Sequence, residues 1–145
     1  MRWRRDSLRA AAPREWENAH SSVARLFRRL VVAVDAADAT VGDLRKAQVA
    51  CDRLEEAAAQ LRTQAVLLTA HLVVASRLPL PKRQRALRPI RSQVDDVEWL
   101  SARIGTSAIE ARYGGVEAGL ADIAERLEAL DLSRSELAGG QGEKR

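Results

Sequence analysis

Ten apolar positions alternate three and four residues apart through the middle of the chain: Leu44, Ala47, Cys51, Leu54, Ala58, Leu61, Ala65, Leu68, Leu72 and Ala75. A repeat of about 3.5 residues keeps one stripe of a helix turned toward a partner over many turns, whereas a strand alternates every two. The spacing therefore predicts one unbroken helix from about Thr40 to Ser76, roughly 55 Å long, with its leucine and alanine ridge hidden from water. Its two halves differ. Polar or small residues such as Arg45, Asp52, Glu55 and Gln60 flank the ridge in the first half, while Val66, Leu67, Val73 and Val74 widen it in the second, so the core should centre there.

An earlier helix is expected to start at Pro13, because proline in a first turn loses no hydrogen bond. It carries Trp16, Ala19, Val23, Leu26, Leu30, Ala33 and Ala37 at helical spacing. The pattern pauses at Asp38 to Gly42, where Thr40 with Asp43 offers a capping box, and so short a connection favours an antiparallel hairpin. Pro79, Pro81 and Pro89 mark residues 77–91 as a linker. Ser92 with Asp95 then caps a third helix through Val94, Val97, Leu100, Ile104 and Ala108. Gly114 and Gly115 end or bend it, and a fourth helix carries Val116, Leu120, Ile123, Leu127 and Leu130.

At 145 residues the chain has the size of one domain. Few aromatics, glycines or prolines interrupt an Ala-, Leu- and Arg-rich sequence, which suits helices. The expected fold is all-α: an elongated antiparallel helical bundle of three to four helices with coiled-coil-like packing over residues 13–130. A basic N-terminal arm at 1–12 and a flexible tail at 131–145 flank it. The most apolar segment, Ala65 to Ala75, is too short and too interrupted to span a bilayer. A single cysteine makes no internal disulfide, and the basic start, Met1 to Arg14, is followed by no apolar core, so the cytoplasm is the expected compartment.

Two functions from different classes follow. The narrow stripes of Leu44, Ala47, Cys51, Leu54, Ala58 and Leu61, and of Leu120, Ile123 and Leu127, exceed what a bundle of unequal helices covers. They suit a non-enzymatic scaffold that associates with a second copy or a helical partner. The alternative rests on charge. The net charge of +4 is unevenly spread. Residues 77–91 hold six basic and no acidic side chains, and residues 92–145 hold six basic and eleven acidic ones. Lys82, Arg83, Arg85, Arg88 and Arg91, with Arg2, Arg4 and Arg5 at the start, are the candidate phosphate-contacting set for nucleic acid or acidic lipid heads, against the plainer reading of a solvated, proline-stiffened loop. Trp3 is the sole aromatic near them, which speaks against a single-strand stacking platform.

Catalytic and metal chemistries find little. Glu17 and His20 share the Glu-x-x-His spacing of di-iron bundles, but Leu68 stands three residues before the other histidine, His71, so no second pair exists. Cys51 lies on the ridge as a small hydrophobe. No glycine-rich phosphate loop, zinc spacing or serine elbow occurs, so no cofactor, metal or catalytic residue is expected. Val97 to Ile109 loosely follows a helix-turn-helix pattern, yet its would-be reading segment holds Glu110 and one arginine, Arg112, and reads better as bundle helix. Trp16 and Trp99 sit at apolar helical positions as packing anchors, and either becomes an interface candidate if exposed.

Overall fold

A computed structural model describes residues 8–113 and 117–143, and every regular element among them is helical. A short 3-10 turn at Arg14–Glu17 precedes four long helices: α1 (Ser22–Lys46), α2 (Asp52–Ser76), α3 (Leu80–Tyr113) and α4 (Glu117–Glu143). Gly114 and Gly115 lie outside the described residues.

The first helix starts later than its apolar spacing implies. Pro13 opens only the 3-10 turn, and the chain reaches α1 through Asn18–Ser21, where the Asn18 and Ser21 side chains compete with a helical backbone. Ser21 caps α1, its Oγ accepting the Ala24 N–H at 3.2 Å. Arg28 reaches back to donate to the carbonyls of Trp16 and Ala19 at 2.7 and 2.6 Å, which pins Trp16 against Phe27 in the core. Residues 8–12, the described part of the basic N-terminal arm, dock on the bundle: Leu8 is buried and Arg9 pairs with Asp35.

The largest correction concerns the long central rod, which is two helices. α1 runs straight through Asp38 to Gly42, because one glycine costs about 1 kcal/mol while burial of Val41 and Leu44 favours continuation. Thr40 is a helix-interior residue there, its hydroxyl donating to the Ala36 carbonyl at 3.0 Å. The chain reverses five residues later. Gln48 adopts φ of 58°, its N–H bonds to Arg45 O, and Val49 N–H bonds back to Leu44 O, each at 3.0 Å. This pair of bonds is a Schellman stop. The three–four spacing survives the break because Leu44, Cys51 and Leu54 all turn inward across the hairpin, so the periodicity is blind to it. α2 itself has 25 residues, about 37 Å.

Residues 77–91 are likewise mostly helix. Pro81 falls in the first turn of α3, where its missing N–H has no partner to lose. Pro89 sits inside α3 and removes one rung, and burial of Leu87 and Ile90 on either side holds the helix through it. Ser92 and Asp95 are therefore helix-interior residues, and α3 extends over 34 residues. The expected tail is helical too. α4 continues past Asp131 to Glu143, fastened where Gln64 of α2 donates to Asp131 and Arg134 donates to Gln64, both at 3.0 Å.

Directions follow from the pairings. Arg45–Glu55 and Arg62–Asp38 make α1 and α2 antiparallel, and Arg103–Asp122 with Trp99–Arg126 does the same for α3 and α4. Arg29 meets Asp95 and Glu98, and Ser101 donates to Ala33 O at 2.7 Å, so α1 and α3 run parallel. α3 packs against each of the other three helices, whereas α1 and α4 lie on opposite sides of the α2–α3 pair. Leu30, Leu61, Leu68 and Leu72 are fully closed from solvent at the centre.

Candidate nucleic-acid interface

The basic residues of 77–91 become an ordered surface because they stand on α3. Lys82, Arg85, Arg88 and Arg91 recur every third residue, so each step turns about 60° and advances about 4.5 Å. The four form an exposed diagonal band about half-way round the helix: Arg85 and Arg88 stand opposite Leu87, Ile90 and Val94 in the core, with Lys82 and Arg91 on the two flanks. None makes an ion pair or side-chain hydrogen bond among the described residues. Arg83 is different. It turns inward, donates to Leu78 O at 3.1 Å and braces the α2–α3 turn, so it leaves the surface set. Arg2, Arg4 and Arg5 lie outside the described residues.

The carboxylates one and two turns beyond Arg91 on α3 are engaged elsewhere. Asp95, one turn beyond Arg91, and Glu98 are both held by Arg29 of α1, whose guanidinium donates to Glu98 at 2.5 and 3.1 Å and to Asp95 at 2.5 Å. These hydrogen bonds, Glu98 first, push the Arg29 pKa further up. With α1 and α3 parallel, the position one turn before Arg29 is Arg25, and the position one turn before Asp95 is Arg91. The register thus puts Arg25 and Arg91, both exposed, at about the same level of the two helices. Sequence reasoning missed Arg25, since only the parallel α1–α3 register brings it to Arg91.

The expected heptad faces have a different fate. Leu44, Cys51, Leu54, Ala58, Leu61, Ile123 and Leu127 are buried inside the chain, Leu120 is half-buried, and Ala47 is exposed next to the Gln48 turn. In the folded chain these residues are core rather than a free stripe, because α2 packs against all three other helices. What remains beside them is an open groove of about 340 Å³ between α2 and α4, edged by Arg53, Glu56 and Gln60. Trp16 is buried, and the half-open ring of Trp99 lies under the Arg126 and Arg103 guanidiniums at 4.7 and 5.9 Å.

Potential chemical groups are dispersed. Glu17 belongs to the 3-10 turn and His20 to the segment before α1, so they do not share a helix face. Among the described residues no three His, Cys, Asp or Glu side chains gather to hold a metal ion. Cys51 occupies the position before α2, where burial and then Glu55 push its thiol pKa up and keep it protonated. Residues 97–109 are one uninterrupted stretch of α3, without the turn of a helix-turn-helix. Searches of family models, curated proteins and solved structures match nothing to this chain.

Proposed function

We propose that this is a non-enzymatic helical-bundle protein that binds nucleic acid through the basic face of α3. The observation that carries the reading is the stripe of Lys82, Arg85, Arg88 and Arg91, exposed and without internal partners among the described residues. Six other arginines, Arg9, Arg29, Arg45, Arg62, Arg103 and Arg134, each meet a carboxylate instead. Guanidinium groups suit phosphate oxygens in charge and fork geometry, and their binding releases condensed counterions. In this reading the heptad ridge serves coiled-coil-like packing within the chain, and the protein is an accessory factor of the cytoplasm. The alternative, association through heptad faces with a second copy or helical partner, requires the bundle to open first, since most of those residues are buried.

Anisotropy of a labelled oligonucleotide tests it. The protein is expected to bind in low salt and to weaken steeply as salt rises, and the double variant Arg85→Glu with Arg88→Glu is expected to lose binding at unchanged melting temperature. Absence of binding in low salt, or undiminished binding by the double variant, defeats the reading.

A further inference from the structure

We infer that this face grips double-stranded nucleic acid through its backbone phosphates without reading base sequence, and that Arg25 of α1 is part of the grip. The inference rests on the reading just proposed and narrows it. The stripe from Lys82 to Arg91 climbs across the helix rather than along it, and at its Arg91 end the cationic surface continues onto α1 through Arg25. Five fixed charges on two parallel helices suit a stiff strand laid across the bundle. A duplex backbone provides one, with a charge every ~1.7 Å of axis.

A single strand is held differently, by bases stacking on aromatic rings. No aromatic residue occurs between Arg77 and Arg91. Trp99, farther along α3, is engaged by Arg103 and Arg126. Base reading in a duplex needs a projecting element that enters a groove about 12 Å wide. α3 does not project: it packs against all three other long helices. A bilayer surface is also a poor match, because a helix lying at that interface buries its apolar face in lipid, and Leu87, Ile90, Val94 and Val97 are committed to the core.

The test compares a duplex of about 20 base pairs, a second duplex of shuffled sequence, a single strand of equal length, and phosphatidylserine vesicles. Both duplexes are expected to bind equally, the single strand at least about tenfold more weakly and the vesicles negligibly. Plotted against log salt, log K for a duplex should fall with a slope of about −4.5, at about 0.9 for each of five phosphates. Arg25→Ala should reduce the magnitude of that slope by about 0.9. Arg112→Ala, at the far end of α3, should leave it unchanged. Equal or tighter single-strand binding, a strong preference between the duplexes, or no effect of Arg25→Ala overturns this inference while leaving nucleic-acid binding standing. Binding to vesicles alone, or to none of the probes, overturns both.

Discussion

The α2–α3 pair is covered on one side by α1 and on the other by α4, and the two covers are built differently. α1 contributes ten buried residues, from Val23 to Leu44, and its face is nearly all aliphatic or aromatic. α4 closes its side with Ile123, Leu127 and Leu130, and three polar links surround that short apolar row. These links are the Gln64–Asp131–Arg134 ring, the Arg103–Asp122 pair and the stack of Arg126 on Trp99. Fully buried aliphatic side chains each stabilise by about 1.5–3 kcal/mol, whereas partly exposed ion pairs add about 0–1. The α1 side is therefore the stable part of the fold, and α4 is held by a thinner margin.

The sharpest way to break this contrast is a matched pair of truncations. Leu30→Ala removes a side chain with no solvent exposure from the α1 side and should cost about 3–5 kcal/mol, lowering the melting temperature of the whole chain by about 10 °C or more. Leu127→Ala on α4 should cost about 2–3 kcal/mol, and its loss of amide protection should be confined to α4 and the residues it covers. Hydrogen exchange of the two variants decides the point. Global loss of protection in Leu127→Ala would mean that the two sides unfold as one unit.

The sequence announces the helical class and the main core because Leu54, Leu61, Leu68 and Leu72 keep their spacing whatever the chain does between them. It conceals the α1–α2 hairpin because its stop signal is not a glycine: Gln48 takes the left-handed conformation that glycine favours, whereas Gly42, the apparent breaker, is inside α1. Prolines misled for a related reason. Pro81 and Pro89 read as a linker until the burial of Leu87 and Ile90 is known, and that burial is a tertiary fact. The cations at Lys82, Arg85, Arg88 and Arg91 were legible as a charge run. Their freedom from partners, the inward turn of Arg83 and the arrival of Arg25 required the packing.

A smaller effect sharpens the hairpin. With φ of 58°, Gln48 bears the cost of a side chain in the left-handed region. Gln48→Gly should stabilise the chain by about 0.5–1 kcal/mol, read as a higher urea midpoint at unchanged slope. A loss of stability would show that the Gln48 side chain does something there beyond completing the turn.

The last difference between the two sides is their response to acid. His71 of α2 is half-buried near Arg134 of α4, and burial first, then that positive charge, hold its pKa below the ordinary value of 6.5. The folded chain consequently binds this proton less readily than the unfolded chain, so His71 leaves stability intact above pH 6.5 and erodes it as pH falls below. The carboxylates around α4 act lower. Asp131, held down by Arg134 and then Gln64, keeps its contribution above the ordinary carboxylate range and loses it only as pH drops through its depressed value. Asp96 is pushed up by burial and opposes that trend, since its cost appears as pH rises. Over the range about pH 8 to 5.5 in which a histidine titrates, the protection of α4 amides should decline on acidification while that of α1 stays level. His71→Gln should remove the decline. An equal decline in both helices would place the acid-sensitive element elsewhere than at the α2–α4 contact.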